Sequence, residues 1–231
     1  EVLVRVSHCG VCHSDLHLQD GYFSLGGEQK LDVRGLRPLP FTFGHEIAGT
    51  VEAVGRSVTA FQPGDEVFGA SIGAFAEYVC ARQDRMVIKP ANLTFEQAAA
   101  VPVAALTALQ GIRDKGQIQP GHNVLINGAA GGVGTFAVQM AKSFGAAVTG
   151  VCSTRNVDMV RSLGADRVID YTREDFTRGG ERYDLMLLDY MLPKRNGREV
   201  AVEVRGAGRS LPILMLTARD SAQDLDEARR A

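Results

Sequence analysis

A glycine-rich stretch in the middle of the chain has the residue types of a phosphate-binding turn. The stretch Asn127–Gly134 reads NGAAGGVG and places Gly128, Gly131 and Gly134 at three-residue intervals. Glycine at these positions permits a tight turn, a close approach of the backbone to a pyrophosphate, and close packing of the next helix. The backbone that would surround the phosphates belongs to Gly128, Ala129, Gly131, Gly132, Val133 and Gly134.

The segments on either side of this stretch have the patterns of a strand and a helix. A short apolar run, 123–126, precedes it, and Gly145 offers a stop after it. Between them, apolar residues recur at helical spacing at Val133, Phe136, Ala137, Met140, Ala141 and Phe144. A helix that begins at the turn would direct its positive end at the phosphates. We therefore predict a dinucleotide site rather than a turn without a ligand.

The end of the next predicted strand indicates which dinucleotide would bind. NAD-type sites place an Asp or Glu about twenty residues beyond the glycine turn, where it accepts the ribose hydroxyls. Here the strand is followed by Ser153, Thr154 and Arg155, without an acid. Hydroxyls and an arginine would bind a 2′-phosphate, so NADPH is favoured over NADH. In an alternative reading, Ser153 or Thr154 caps the helix that begins there, and the two roles are compatible.

A second group of reactive side chains lies in the first fifty residues. Cys12 and His45 supply a thiolate and an imidazole, the ligand types that zinc prefers, and Glu46 is a carboxylate beside them. A catalytic zinc needs three protein ligands and one open position. These three side chains would therefore have to bind the metal together.

Composition narrows the classes of partner. The chain has 231 residues, 23% of them charged, and a formal net charge of -2. This charge does not favour nucleic acid or an anionic membrane as a binding partner. No window approaches a membrane span, and no signal peptide is visible. Four cysteines do not make a disulfide framework in a chain of this size. We expect a cytoplasmic protein with a small-molecule substrate, and the apolar alternation that starts at Val2 predicts a fragment.

The elements that would position these residues fall into two regions. From residue 1 to about residue 89, short β runs are broken by glycine and proline, which predicts a small β domain. Thr94 and Gln97 then form a capping box before an alanine-rich helical region. From Asn123, strands and helices alternate, which predicts a parallel sheet with right-handed crossovers.

Residues 1–183 resemble the medium-chain dehydrogenase/reductases, in which a chaperonin-10-like β domain precedes a Rossmann domain. The motifs CGVCHSDLH at 9–17 and GHEIAGTVEAVG at 44–55 resemble zinc alcohol dehydrogenases, whereas about 56–183 resembles the zinc-free, quinone-oxidoreductase-like branch. The resemblance implies an α/β protein, with an incomplete β domain at 1–100 and the first part of an NADP-binding Rossmann domain at 101–183.

The resemblance to zinc dehydrogenases assigns roles to the first group of side chains. It makes Cys12 and His45 zinc ligands and Glu46 an alternative ligand or a supporting group. It also makes Ser14 and His17 a proton relay, with Asp15 as a partner of the ligands. The remaining cysteine ligand of that branch should fall near Val103, where the chain reads VPVAALTAL and has no cysteine. The four-cysteine structural zinc lobe of that branch should fall at 68–76, which also contains no cysteine. If zinc is absent, His45 or Ser14 would donate a hydrogen bond to the substrate.

The last segment resembles another family, the receiver domains of bacterial response regulators. YDLMLLDYMLP at 183–193, NGREV at 196–200 and LPILMLTARD at 211–220 carry this resemblance, which covers about 184–225. It makes Asp189 the phosphoacceptor and Thr217 the threonine that ends the next strand. The acidic pair that holds magnesium in receivers, and their later lysine, have no counterpart here. We predict that 184–231 adds a strand, a helix and a strand that complete a five-stranded, doubly wound sheet.

These observations predict an NADPH-dependent oxidoreductase that transfers a hydride to a carbonyl, an enone or a quinone, with NADH as the other dinucleotide the site could take. A zinc-dependent alcohol dehydrogenase, an inactive nucleotide-binding chimera and a phosphorelay receiver acting through Asp189 are the alternatives. A homodimer is compatible with the resemblance, since related reductases commonly dimerise by continuing the Rossmann sheet.

Overall fold

The computed structural model describes residues 1–24, 30–35, 40–178, 180–192 and 195–216. The chain forms two compact units, one made of Glu1–Ser24 with Lys30–Leu106 and the other of the residues from Thr107 onward. None of the helices in the described ranges is long and apolar enough to cross a membrane. Each unit has its own sheet and its own core.

The first unit is built on an antiparallel five-stranded sheet. Its elements are β1 (Val2–Gly10), α1 (His13–Asp20), β2 (Tyr22–Ser24), β3 (Lys30–Asp32), β4 (Glu46–Val54), β5 (Glu66–Ala70), β6 (Tyr78–Ala81), β7 (Met86–Ile88), α2 (Phe95–Ala99) and α3 (Pro102–Leu109). The strand order is β6-β1-β4-β5-β7, and β2 and β3 form a separate hairpin.

Apolar alternation explains how β1 lies in this sheet. Val2 and Val4 are fully buried, and they pack with Ile47 and Val51 of β4. The two strands approach so closely at Gly49 that an added Cβ would lie 2.2 Å from the Arg5 carbonyl oxygen. Glycine is therefore required at this point of β4, and the residues Glu46–Gly49 that lead to it are all buried.

One predicted strand of the first unit lies elsewhere. The sequence of residues 75–79 has the pattern of one of the short β runs, whereas the structure places the strand β6 at Tyr78–Ala81. The Ala74 and Phe75 N–H groups donate instead to the carbonyls of Gly44 and Phe43, in the segment before β4. The start of this segment is therefore bonded to a loop and does not join the sheet. The Thr94–Gln97 capping box is confirmed, since each side chain accepts a hydrogen bond from the other residue's N–H.

The second unit contains a parallel five-stranded sheet with the order β10-β9-β8-β11-β12. Its elements are β8 (Asn123–Asn127), α4 (Gly132–Ser143), β9 (Ala147–Cys152), α5 (Val157–Ser162), β10 (Arg167–Asp170), β11 (Leu185–Asp189), α6 (Gly197–Gly206) and β12 (Ile213–Leu216). The predicted α/β class, with a β domain followed by a Rossmann-type parallel sheet, is confirmed.

Two apolar clusters fill the second unit, one on each side of its sheet. On one side, Ala137, Val138 and Ala141 of α4 are fully buried against β8 and β9, as the helical spacing predicts. On the other, Val200 and Val204 of α6 pack with residues of β9, β10 and β11. The segment that resembles a receiver therefore supplies a strand, a helix and a strand to this sheet. Thr217 lies outside the described residues.

Candidate functional site

The glycine turn joins the carboxyl end of β8 to the start of α4. Gly128 has a φ of +87°, and its carbonyl accepts a 2.9 Å hydrogen bond from the Gly131 N–H. The Ala129 N–H donates to the Val151 carbonyl of β9 at 3.1 Å. The turn is therefore fixed by its own backbone and by the neighbouring strand.

The three glycines of the turn have different surroundings. A Cβ added at Gly134 would lie 2.0 Å from the Gly128 carbonyl oxygen, and one at Gly128 would lie 3.1 Å from the Asp189 Cβ. Among the described residues, a Cβ at Gly131 would meet only that same carbonyl oxygen, at 3.3 Å. The fold therefore requires glycine at the first and third positions, whereas a Cβ at Gly131 would have a single, milder close contact.

The amino terminus of α4 is suited to an anion. Its N-cap residue is Gly131, which has no side chain with which to cap the first turn. The first N–H groups of a helix have no partner within the helix, and the helix dipole adds partial positive charge there. The structure brings the predicted phosphate-binding residues together around this helix end: Gly128, Ala129, Gly131, Gly132, Val133 and Gly134.

The predicted 2′-phosphate residues follow β9 directly. Ser153 precedes a short 3-10 turn, Thr154–Asn156, and its Oγ accepts a 3.3 Å hydrogen bond from the Asn156 side chain. Neither Ser153 nor Thr154 caps a helix with its side chain, so the capping alternative is not supported. Arg155 is exposed, and none of the described carboxylates lies within ion-pair distance of it.

An acid from the next strand reaches this position, which the sequence argument missed. Asp170 ends β10, and its Oδ2 accepts a 2.5 Å hydrogen bond from the Thr154 hydroxyl. Its Oδ1 accepts from the Thr172 N–H at 2.9 Å and from the Thr172 hydroxyl at 2.7 Å. The Thr154 hydroxyl is thus already engaged. Because β10 and β9 are adjacent parallel strands, their carboxyl ends meet, and a predicted strand order would have revealed the contact.

In the first unit, Asp15 organises the residues assigned to zinc. Its Oδ1 lies 3.2 Å from the His45 Nδ1 and accepts from the Gly44 N–H at 3.1 Å, and its Oδ2 accepts from the Cys12 N–H at 3.1 Å. The Asp15 carboxyl is nearly inaccessible, with 4% of the residue exposed. Asp15 therefore fixes both the start of α1 and the loop before β4.

The thiol of Cys12 and the ring of His45 form a polar pair. Their mutual hydrogen bond lowers the pKa of Cys12 despite burial, and Ser14 adds further hydrogen bonds in the same direction. The same bond is the main reason why the pKa of His45 is raised, and Asp15 contributes in the same sense. The pair therefore favours a proton on the imidazole and negative charge on the sulfur.

Glu46 does not join this pair. Its Oε1 accepts a 3.0 Å hydrogen bond from the Val103 N–H at the start of α3. Within the described ranges, no three His, Cys, Asp or Glu side chains form a group that could hold a metal ion. The predicted metal set of Cys12, His45 and Glu46 is therefore not assembled, because β4 turns the carboxylate towards α3.

Ser14 and His17 do not form the predicted proton relay. Ser14 contacts Cys12, whereas the His17 ring lies 4.6 Å from the rings of both His13 and Phe23. No hydrogen bond joins Ser14 to His17 in the described part of the chain. Burial is the main cause of the lowered pKa of His17. His17 therefore packs as a neutral ring inside the first unit.

Asp189 lies at the carboxyl end of β11, beside the glycine turn. Its Oδ1 accepts a 3.0 Å hydrogen bond from the Met191 N–H, and its Oδ2 would lie 3.4 Å from a Cβ at Gly128. Burial raises the pKa of the carboxyl above its ordinary value. The position predicted for a phosphoacceptor is therefore a sparsely solvated carboxylate next to the turn.

Replacing Asp189 with asparagine is expected to stabilise the protein at neutral and basic pH. The raised pKa means that the folded state holds the proton more tightly than the unfolded chain, so the free energy of unfolding falls as pH rises from the unfolded pKa to the folded one. At pH values above both pKa values, the ionised Asp189 carboxylate destabilises the folded state to its full extent. We expect Asp189→Asn to raise Tm by about 2–4 °C near pH 8 and to lose this advantage towards about pH 4.

Thermal unfolding at several pH values measures this effect. Asp166→Asn is the matched control and is expected to lower Tm near pH 8. The Lys142 side chain lowers the pKa of Asp166, so the ionised carboxylate stabilises the folded state at pH values above the unfolded pKa. An Asp189→Asn variant less stable than wild type near pH 8 would contradict the prediction.

Comparison with known proteins agrees with this fold. Residues 1–91 match the family model "Alcohol dehydrogenase GroES-like domain", and residues 132–209 match "Zinc-binding dehydrogenase". The second match extends past residue 183, where the resemblance to receivers begins. The strand β11 and the helix α6 therefore lie within a dehydrogenase match.

Relatives and solved structures agree with the family models. The chain is 37% identical to mouse (Mus musculus) NAD(P)H oxidoreductase RTN4IP1, mitochondrial, over 85% of this chain and 52% of that protein. It is 38% identical to 2-methylene-furan-3-one reductase of tomato (Solanum lycopersicum), over 64% of this chain and 41% of that protein. The quinone oxidoreductase from Coxiella burnetii has the same fold, with a TM-score of 0.75 and 26% identity over 99% of this chain and 76% of that one.

The chain spans about half the length of the curated relatives it matches. Its β-sheet unit and its parallel-sheet unit correspond to the two matched family models, which are separated by residues 92–131. Residues 1–91 and 132–209 therefore match dehydrogenase families, and together with the fold and the similarity to known reductases they identify a chain of the medium-chain dehydrogenase/reductase type.

Proposed function

We propose that this chain acts as an NADPH-dependent reductase that transfers a hydride to a carbonyl, an enone or a quinone. The observation that carries the proposal is the amino terminus of α4, where the N-cap residue Gly131 has no side chain to cover the first N–H groups, which lack partners within a helix. The mouse relative is named for NAD(P)H, and the tomato and Coxiella proteins are named for a furanone and for quinones.

NADPH fits the residues of the second unit. The N–H groups of 132–134 would bind the pyrophosphate, and Arg155 would pair with the 2′-phosphate. When bound, the nicotinamide supplies the hydride. The chain's own residues bind and orient the dinucleotide, and Arg155 carries the recognition of the 2′-phosphate, because the Thr154 hydroxyl donates its proton to Asp170.

In the first unit, His45 is the group that we assign to the substrate oxygen. Its raised pKa favours the ring that carries both protons, and Asp15 fixes the ring through Nδ1. The substrate oxygen would replace the Cys12 thiol as the second partner of the ring. A donor at the oxygen would stabilise the negative charge that develops during reduction. The proposed reduction does not involve zinc, because Glu46 is bonded to the backbone at Val103 and none of the described side chains joins Cys12 and His45 as a third ligand.

Thermal stability of the purified chain, followed during titration with NADPH and with NADH, tests the function. A ligand of the native state raises Tm by mass action, so NADPH at a hundredfold excess over Kd would add about 2.7 kcal/mol. Stabilisation by NADPH followed by oxidation of NADPH with an enone or a quinone would support the proposal. A chain that neither dinucleotide stabilises would refute it.

Arg155→Asp is expected to reverse the cofactor preference. The exposed guanidinium has no described carboxylate to neutralise it, so its charge is available to the 2′-phosphate, which a carboxylate would repel. We expect the ratio of the NADH Kd to the NADPH Kd to fall by about 100-fold.

Parallel isothermal titrations with the two dinucleotides measure this ratio. Arg161→Asp is the control, since Arg161 is an exposed arginine of α5 that is already paired with Asp158 at 3.2 Å. An unchanged ratio in Arg155→Asp would mean that the 2′-phosphate is recognised by other residues.

We also retain four predictions that rest on the sequence alone. They are the domain limits 1–100, 101–183 and 184–231, the receiver-like origin of 184–225, a homodimer, and a cytoplasmic location. The dehydrogenase match through residue 209 favours a nucleotide-related role over a phosphorelay role for Asp189. The mouse relative is named as mitochondrial, so location needs a direct test.

A further inference from the structure

A cavity of about 510 Å³ opens beside His45 in the first unit. Ala70 at the end of β5 and the next two residues, Ser71 and Ile72, form part of its wall. Arg82 and Arg85 form another part. The cavity therefore combines the proposed donor to the substrate oxygen with an apolar surface and two cations.

The two arginines differ in how their charges are used. Arg82 is paired with Asp84 through two hydrogen bonds, of 2.9 Å from Nε and 2.6 Å from Nη2. None of the carboxylates in the described ranges lies within ion-pair distance of the Arg85 guanidinium. Arg85 therefore contributes most of the uncompensated positive charge of the cavity.

The backbone of Arg85 is held firmly in place. Its N–H donates to the Arg82 carbonyl at 3.0 Å, within the short 3-10 turn Gln83–Arg85. A Cβ added at Gly69 of β5 would lie 2.1 Å from the Arg85 carbonyl oxygen, so the turn and the strand are in close backbone contact. The cation is thus anchored to the same strand, β5, that leads to the apolar wall.

The apolar wall is exposed in the absence of a ligand. Ile72 has 54% of its surface accessible, although it borders the cavity. A bound molecule that covered this side chain would gain free energy by the hydrophobic effect, at about 25 cal/mol per Å² of apolar surface buried. The cavity therefore suits a ligand with an apolar body and one anionic end.

We propose that the substrates of this chain are enones or ketones that carry a carboxylate, which Arg85 binds. This assignment rests on the proposed reductase function and specifies its substrate class. The reducible carbonyl faces His45, the hydrocarbon body lies on Ile72, and the carboxylate forms a bidentate pair with the Arg85 guanidinium.

The test compares an acid with its neutral ester at equal intrinsic reactivity. NADPH oxidation is measured with 6-oxo-4-heptenoate, in which two methylene groups separate the carboxylate from the enone, and with its methyl ester, in wild type, Arg85→Gln and the control Arg56→Gln. Arg56 is an exposed arginine of the same unit that does not line the cavity. We expect wild type and Arg56→Gln to prefer the acid by about tenfold in kcat/KM, and Arg85→Gln to lose that preference while it reduces the ester normally.

A wild type that reduces the ester as well as the acid would overturn the assignment, as would an Arg85→Gln variant that loses activity towards both compounds equally. If neither compound is reduced, the reductase function fails, and binding of the saturated keto acid 6-oxoheptanoate, measured without NADPH, shows whether the cavity takes a carboxylate. Calorimetric binding of this ion to wild type and Arg56→Gln, weakened about tenfold in Arg85→Gln, supports the cavity assignment. Equal or absent binding in all three proteins overturns it.

Discussion

Replacing Gly131 with valine is expected to abolish NADPH binding without unfolding the protein. The added Cβ would meet only one described atom within 4 Å, the Gly128 carbonyl oxygen at 3.3 Å. A shift of a few tenths of an ångström relieves this contact, far less than the 2.0 Å approach of a Cβ at Gly134 would need. The backbone at this position is extended, with φ -78° and ψ 168°, which valine adopts readily. The two γ-methyl groups would occupy the space in front of the α4 amino terminus.

The expected rise in the Kd for NADPH follows from the hydrogen bonds that the phosphates would lose. Their hydrogen bonds with the first N–H groups of α4 are charge-assisted and would be lost together. We expect Kd for NADPH to rise by more than about 100-fold, which corresponds to about 2.7 kcal/mol. Isothermal titration measures Kd, and thermal unfolding of the free variant measures its stability.

Gly206→Val is the matched control for Gly131→Val. Gly206 ends α6, and a Cβ there would meet none of the described atoms within 4 Å. This variant should bind NADPH as wild type does. Retained affinity in Gly131→Val would show that the turn is not the phosphate site.

Gly134→Ala, three residues further along, is expected to damage the fold instead. Its Cβ would lie 2.0 Å from the Gly128 carbonyl oxygen and 2.8 Å from the Ala129 Cα. Both are backbone atoms of a turn that hydrogen bonds already fix, so α4 would have to move away from the turn and from β8. The packing of Ala137 and Ala141 against the sheet would be disturbed as well.

We expect this single methyl group to lower the free energy of unfolding by about 3 kcal/mol or more. For a chain of this length, that is a loss of about 6–12 °C in Tm. Thermal and urea unfolding measure it, with Gly206→Ala as the control that should be neutral or slightly stabilising. A Gly134→Ala variant that melts with wild type would mean that the turn is looser than the structure shows.

The local sequence pattern was sufficient to predict individual strands and helices. The alternation at Val2 and Val4 marked β1, and the spacing of Ala137 and Ala141 marked the buried face of α4. The glycine turn was also a local feature, since its three glycines lie within seven consecutive residues between a strand and a helix. Patterns of this kind depend on periodicity and on backbone freedom, which a sequence displays directly.

The site chemistry was less accessible to sequence analysis. The predicted zinc set placed Glu46 beside His45 because the two residues are adjacent in the chain. Adjacent residues of a strand or of its entrance point in different directions, and Glu46 bonds instead with the N–H of Val103. The sequence contained both residues but did not show that α3 would lie against β4.

Sequence patterns were enough to predict the type of dehydrogenase, the order of strands and helices along the chain, and the position of the glycine turn. Which residues come together is seen only in the folded chain: Thr154 with Asp170, Gly128 with Asp189, and His45 with the cavity that contains Arg85. The physical reason is that these partners lie on different strands or loops. Their proximity depends on which strands are neighbours in each sheet and where each strand ends, and neither is encoded in the spacing of residues along one element.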